Sequence, residues 1–314
     1  MRREFSEFIP AATAGCCACF FTNPLEVVKT RMQLQGELQA RGSYSVHYRN
    51  VFHASYTIAK HEGLTSLQKG LCPALLYQVI MNGTRLSSYQ VFTNLGLTSG
   101  NDGKPVFLKC VVAGGISGGL SAFLSNPTML LKTQFQSQAG HDIAVGYQHA
   151  HTGLTHAVQR IFTHHGIRGF WRGVSAGVPR NAIGTSTQLS TFDITKDVIK
   201  SWHLFRPESW LIPALASFIS SIALVVTMTP LDVVSTRLFN QSVSQSGQGV
   251  LYNGILDCFR KIFNREGFSG FYKGFGPQYF RSGPQTILSL LFWEKLRKLH
   301  FDYTVDRNQY NTDL

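Results

Sequence analysis

The chain has 314 residues, with 29 Lys and Arg against 17 Asp and Glu, giving a formal net charge of +12. A nucleic-acid partner wants its basic residues clustered on one face, but no basic run here is longer than the Arg2-Arg3 pair, and the charges interrupt apolar stretches. Charged residues are only 15% of the chain, against roughly 25% in soluble domains, which favours a membrane as the solvent.

From the first residue, Met1-Arg2-Arg3-Glu4 runs straight into an apolar segment with no signal or transit pattern, so targeting is expected to be internal. A membrane span needs about 20 mostly apolar residues, and 8–28, 106–131 and 211–234 qualify. Each carries a proline near its end (Pro24, Pro127, Pro230). A kink is expected at each, because proline removes a backbone donor and clashes with the preceding turn. Small residues four apart let helix backbones approach closely: Ala11 with Gly15, Gly114 with Gly118, Gly115 with Gly119, and Ala216 with Ser220. A polar loop follows each span, then an amphipathic stretch (51–61, 154–164, 255–265) suited to lie on the membrane surface. The second span of each unit covers 71–92, 174–198 and 275–296, and is less apolar, with Arg85, Arg180, Gln188 and Arg281 embedded. A lipid-facing arginine is costly, so these helices must line water or protein. The pattern is an all-α membrane protein of six tilted helices, the even ones wetter, around a central aqueous cavity.

Six cysteines show neither metal-ligand nor disulfide-framework spacing. Cys16, Cys17 and Cys19 read as small packing residues in an apolar helix. His141, His149, His151, His156, His164 and His165 crowd one loop region, without carboxylate or cysteine partners at ligand spacing. They read as a solvated loop and not as a metal or pH-sensing site.

A long period overlies these elements. Pro24-Leu25-Glu26-Val27-Val28-Lys29-Thr30-Arg31 returns as Pro127-Thr128-Met129-Leu130-Leu131-Lys132-Thr133-Gln134 and as Pro230-Leu231-Asp232-Val233-Val234-Ser235-Thr236-Arg237, the prolines 103 residues apart. A second echo follows in each unit: Glu62-Gly63 with Lys69-Gly70, Gly166 with Trp171-Arg172-Gly173, and Glu266-Gly267 with Tyr272-Lys273-Gly274. A fixed period sets the architecture: three units, 1–102, 103–205 and 206–314, forming one threefold membrane domain.

Both echoes resemble the signature of the mitochondrial carrier family, P-x-[DE]-x-x-[KR]-x-[KR] followed by [DE]-G-x4-aromatic-[KR]-G, over essentially the whole chain. The chain departs from it at Met129, Gln134, Ser235, Gln68 and His165. The resemblance implies six transmembrane helices with short matrix-side surface helices, in the inner mitochondrial membrane. It also implies that the acid of one motif pairs with the base of the next to close the matrix side. Carried over by position, Glu26 would pair with Lys132 and Asp232 with Lys29. Met129 and Ser235 lack both charges of the third pair. On the cytoplasmic side the family has [FY]-[DE]-x-x-[KR]. Phe192-Asp193-Ile194-Thr195-Lys196 and Trp293-Glu294-Lys295-Leu296-Arg297 match, while Tyr89-Gln90-Val91-Phe92-Thr93 lacks both charges. Asp193 would pair with Arg297, leaving Lys196 facing Gln90 and Glu294 facing Thr93.

Internal symmetry also locates a cargo site. Counting from the Lys/Arg-Gly echoes, equivalent even-helix positions are Tyr77, Arg180 and Arg281, followed by Gln78, Asn181 and Ser282. Eight residues on stand Arg85, Gln188 and Ser289, just over two helical turns away on nearly the same face. Three arginines and no Asp or Glu on the even helices between the gates suit a small dianion, since arginine grips oxyanions in forked geometry. Tyr77, Asn181, Thr185 and Gln188 stand ready to orient further polar groups. Positions 77, 180–181 and 281 match the carriers' contact points, and Arg180-Asn181 resembles the pair of keto-acid and dicarboxylate carriers. Thr84-Arg85-Leu86 and 274–284 are similar to the oxoglutarate, dicarboxylate and oxaloacetate branch.

The resemblance therefore implies a monomeric antiporter of small dicarboxylates, keto acids or sulfur oxoacids. It needs no cofactor, and cardiolipin would sit at helix N-termini near Gly70, Gly173, Gly274 and Tyr252-Asn253-Gly254. A proton or anion leak and a non-transporting membrane scaffold are the rival readings. A soluble enzyme is disfavoured, because no nucleophile, base and oxyanion donors form a local signature.

Overall fold

A backbone in lipid must satisfy its own polar groups, which leaves helices as the solution for long apolar segments. The computed structural model describes residues 2–39, 43–100, 106–202, 211–244, 247–285, 288 and 292. Eight helices follow in order: α1 (Arg2–Leu34), α2 (Val51–Glu62), α3 (Leu71–Asn94), α4 (Phe107–Ser137), α5 (Leu154–His165), α6 (Val174–Ser201), α7 (Leu211–Asn240) and α8 (Ile255–Glu266). Residues 275–285 are also helical and form α9. Among the described residues there is no strand, and an isolated bridge joins Val243 and Gly249. Within the same residues, α4 and 215–240 of α7 have the length and apolarity of a span.

The two faces of α4 show how lipid and protein divide the surface. Leu108, Val112, Ile116, Leu120 and Leu124, four residues apart, are all exposed, an apolar stripe fit for lipid. The opposite face is glycine and packs on α6. A Cβ at Gly114 would meet Leu189, one at Gly115 would meet Ser186, and one at Gly118 would stand 2.7 Å from Thr185 Oγ1 and 3.0 Å from the Asn181 carbonyl. Without a hydrophobic drive between helices, such close approach supplies the packing.

The motif prolines lie inside continuous helices. Proline frees the carbonyl four residues earlier, and a side chain takes it up in two repeats. Gln68 Nε2 donates to the Phe20 carbonyl at 3.1 Å, and Trp171 Nε1 donates to the Phe123 carbonyl at 3.1 Å. Gln68, a departure from the motif's aromatic, thus does the work of Trp171. The residue before the proline acts next. Asn23 Nδ2 reaches the carbonyls of Leu67 and Lys69, and Asn126 Nδ2 those of Phe170 and Arg172. These bonds tie each odd helix to the 3-10 turn that opens the following even helix.

The surface helices α2, α5 and α8 each run one residue beyond the expected stretch. Each stops at a glycine with positive φ: Gly63 at 84°, Gly166 at 60° and Gly267 at 71°. Gly70, Gly173 and Gly274, also at positive φ, then launch α3, α6 and α9. Three apolar clusters pack at this end, and each borrows from another repeat. Val27, Leu34, Tyr48 and Ile58 take Ile143 and Val145. Leu130, Leu131 and Ile161 take Phe239. Val233, Val234, Tyr252 and Ile262 take Leu38. The three repeats therefore close on each other in a ring.

Two expectations change. The histidine stretch is not uniformly solvated: His151 is 9% exposed, and His149 Nε2 lies 2.9 Å from the Asn240 carbonyl. Loop 141–153 is clamped on α7, because repeat 2 must dock repeat 3 there. Tyr252 turns inward, 1% exposed, with its hydroxyl on Glu37 at 2.9 Å and its backbone N donating to Gln241 Oε1 at 2.9 Å, which takes it out of reach of a lipid.

Gly118→Ala should therefore cost about 1–3 kcal/mol by forcing α4 off the α6 backbone. Gly119→Ala, whose Cβ would find Val178 at an ordinary 3.4 Å, should be near neutral. Thermal unfolding of the purified protein compares them.

Candidate functional site

Residues three apart on a helix share a face, so each motif aims its acid and base positions at the bundle axis just beyond the proline. Glu26 Oε2 lies 2.6 Å from Lys132 Nζ, and its Oε1 lies 2.8 Å from Arg281 Nη1. Gln136 Nε2 also donates to Glu26, at 3.3 Å. Asp232 Oδ2 lies 2.9 Å from Lys29 Nζ, and its Oδ1 lies 2.6 Å from Arg180 Nε. Both carboxylates are buried. Each is held between two cations, one from each of the other two repeats. Removing one partner from such a buried pair strands a charge, at about 3–5 kcal/mol.

The structure thus brings Glu26 with Lys132 and Asp232 with Lys29. It adds what the sequence did not suggest: Arg180 and Arg281, expected to face cargo, are held by the same carboxylates. By the same offsets, the third set is Met129, Ser235 and Tyr77, neutral at all three positions. A cation at 77 or 235 without an acid at 129 would be a buried unpaired charge, so the three losses belong together. Tyr77 is 8% exposed and has Lys132 Nζ 5.0 Å from its ring centroid, a cation–π contact in place of an ion pair.

The remaining candidates divide. Arg85 donates from Nη2 to Asn82 Oδ1 at 3.3 Å and has no carboxylate among the described residues. Gln188 is exposed. Asn181 Nδ2 is committed to the Gly177 carbonyl at 2.9 Å. The Thr185 hydroxyl faces Gly118 of α4, which removes it from the cavity. At the other end Lys196 Nζ sits 5.9 Å from the Phe192 ring, and Asp193 is partly buried. Glu294 and Arg297 lie outside the described residues, as does Ser289.

A second ring of charge surrounds the first and joins the two echoes. Arg31 Nη1 and Nη2 fork onto Glu62 at 2.6 and 3.0 Å, with Lys69 Nζ at 2.6 Å. In repeat 3, Arg237 forks onto Glu266 at 2.5 and 2.8 Å, with Lys273 Nζ at 2.6 Å. Loop amides of other repeats complete both, Gly140 N on Glu62 and Leu38 N on Glu266. Repeat 2 has Gln134 and His165 in the Arg and Glu positions, and there Gln134 Oε1 meets His151 Nε2 at 3.0 Å. Sequence reasoning did not find this ring. Its signal was the joint departure of Gln134 and His165 in one repeat. Burial pushes the Glu62 carboxyl up, but the bonds from Arg31 and Lys69 outweigh it and hold it at about 2.

The family model described as mitochondrial carrier protein matches three segments, 3–99, 103–202 and 206–304. Solute carrier family 25 member 35 of Mus musculus is 50% identical over 297 residues, covering 95% of this chain and 99% of the relative. Its Homo sapiens counterpart is 49% identical over 298 residues, with the same coverage of 95% and 99%. The mitochondrial oxaloacetate transport protein of Saccharomyces cerevisiae is 36% identical over 304 residues, covering 94% of this chain and 90% of the relative.

Glu62 sets an acid limit. Its carboxyl is lowered from 4.5 to about 2, so its contribution is complete above the unfolded value and is lost as pH falls toward the folded one. Thermal unfolding temperature should drop as pH falls from about 4.5 toward 2. Glu62→Gln, which strands Arg31, should lose about 3–5 kcal/mol at pH 7 and show a shallower acid response.

Proposed function

We propose, from the premise that the chain belongs to the mitochondrial carrier family, that it exchanges small dianions across the inner mitochondrial membrane. The chain is a transporter of that family and not an enzyme. It is a multi-pass inner-membrane protein, with six spanning helices in three repeats. The finer reading concerns what it carries and how. Its cargo class is dicarboxylates, keto acids such as oxaloacetate, and related oxoacids including sulfate.

One observation carries this reading. Arg180 and Arg281 already hold carboxylate oxygens, at 2.6 and 2.8 Å, and those oxygens belong to the carboxylates that also hold Lys29 and Lys132. A carboxylate of the cargo can take over each arginine, replacing one ion-pair contact by another. Asp232 and Glu26 then keep one cation each, and the two inter-repeat clasps loosen together. Five cations (Lys29, Lys132, Arg180, Arg281, Arg85) face two acids here, so a dianion offsets most of the excess. Arg85, without an acid of its own, supplies the attraction along the way.

Exchange is favoured over net uptake because moving one charge across the membrane costs about 2.3 kcal/mol per 100 mV. Trading like-charged anions avoids that work. The name of the yeast relative at 36% identity, an oxaloacetate transport protein, supports the same cargo class. A cleft of about 550 Å³ between Asn50, Val51 and Phe52 on one side and Gly274, Phe275 and Phe280 on the other supports cardiolipin at the N-termini of α2 and α9.

The test is uptake of labelled malate, oxaloacetate, malonate and sulfate into cardiolipin liposomes, with and without unlabelled anion inside. Uptake should require internal anion and vanish in Arg180→Ala and Arg281→Ala. No uptake of any of them by folded protein would overturn the reading. Met129→Glu with Ser235→Lys adds a third buried pair that must also open and should slow exchange, whereas Ser235→Lys alone strands a buried charge and should lose about 3–5 kcal/mol of stability.

A further inference from the structure

The outer charge ring is incomplete in repeat 2, and its incompleteness is one-sided. In repeats 1 and 3 the lysine of the second echo rests on a glutamate, Lys69 on Glu62 and Lys273 on Glu266, each at 2.6 Å. In repeat 2 the cation persists as Arg172, while the acid position is His165. Among the described residues no carboxylate reaches Arg172, and its Nε is buried without a hydrogen-bond partner. Burial pushes the guanidinium down to about 10, with only Tyr147 acting in the other direction.

The surroundings repeat the same imbalance. The charges that act on His149, His151 and His165 are cations and histidines, Arg172, Arg160, His156 and His164 among them, and the neutral Tyr147 ring packs on His149. His149 and His151 are driven by burial, then by these cations, to about 3 and about 4. They are therefore neutral hydrogen-bonding groups beside two permanent charges, Arg172 and Arg160. His151, 9% exposed, has its Nδ1 unpartnered. His165 is half-buried, so the corner opens to solvent.

The backbone at this corner is that of repeat 3. A Cβ at Gly169 would lie 2.7 Å from His165 Cβ and 3.0 Å from Ile161 Cγ2. A Cβ at Gly270 would lie 2.7 Å from Glu266 Cβ and 3.0 Å from Ile262 Cγ2. The caps agree as well, Gly166 N on the Phe162 carbonyl and Gly267 N on the Phe263 carbonyl. Position 165 therefore aims its side chain as Glu266 does, toward the cation of its echo. What differs is the charge.

We propose that the corner formed by Arg172, His165, His151 and Arg160 binds an exogenous oxyanion, a phosphate-type group, which takes the place held by Glu62 and Glu266 in the other repeats. The ligand is read by Arg172 and Arg160 with a hydrogen bond from His165, since His151 Nε2 donates to Gln134 and leaves its Nδ1 only an acceptor, and it latches repeat 2 to α7 of repeat 3, which His149 already grips through Asn240. Free phosphate and a phospholipid headgroup share this chemistry. The site lies outside the central cavity and does not rest on the dianion-exchange reading.

The test uses full-length protein, purified in detergent and freed of lipid, with thermal unfolding as readout. Inorganic phosphate is exchanged against chloride at constant ionic strength in wild type, His165→Glu and Arg172→Gln. The central cavity is identical in all three, so a difference among them reports the corner. Wild type should gain roughly 3 °C at saturating phosphate. His165→Glu, which supplies the carboxylate within the chain, should start higher and lose that increment. Arg172→Gln should also lose it, and serves if His165→Glu does not fold. A parallel titration with cardiolipin separates the sources. A wild-type gain with cardiolipin alone, absent in both variants, assigns the anion to a lipid headgroup. Equal responses of wild type and the variants to both ligands overturn the proposal.

Discussion

Two buried carboxylates hold this molecule together at its centre. Glu26 joins Lys132 of the second repeat and Arg281 of the third, while Asp232 joins Lys29 of the first and Arg180 of the second. No repeat can move outward without breaking a pair in a poorly solvated place. A buried charge left alone is expensive, whereas a charge handed to a new partner is not. That asymmetry makes the clasp firm against water, and the proposed exchange turns on handing its arginines to an oxyanion.

Around this centre, the fold solves the problem of a helix that must contain proline. The carbonyl released four residues before Pro24 or Pro127 is taken by Gln68 or Trp171, and Asn23 and Asn126 fasten the next turn. The paired Glu26, Lys29 and Lys132 stand directly after those prolines. Their positions are therefore held by the 3-10 turns and glycine-started even helices of their own repeats. Glycines on α4 then let α6 close in, while leucines and isoleucines on its other face are left for lipid.

The threefold plan is broken in an orderly way. Met129, Ser235 and Tyr77 are neutral together at the centre, and Gln134 and His165 are neutral together in the outer ring. At the centre, keeping a cation without the acid would have stranded it, and the outer ring follows the same rule at Gln134. Arg172 is the exception, a cation that outlived its acid, and the histidines that gather near it were legible in the sequence only as a polar loop.

The resemblance to the carrier family implied which acid of the proline motifs faces which base; the sequence alone determined the helices, their surface or spanning character and the threefold order. These follow from periodicity and from positional identity between repeats, both of which are local or one-dimensional. Only the tertiary structure decided that Arg180 and Arg281 rest on Asp232 and Glu26, that Asn181 and Thr185 turn to their own helix and to α4, and that Arg31 and Arg237 fork onto Glu62 and Glu266. A side chain's partner across helices depends on how closely and at what rotation those helices pack. That is set by all the contacts of the bundle at once, and no single stretch of sequence carries it.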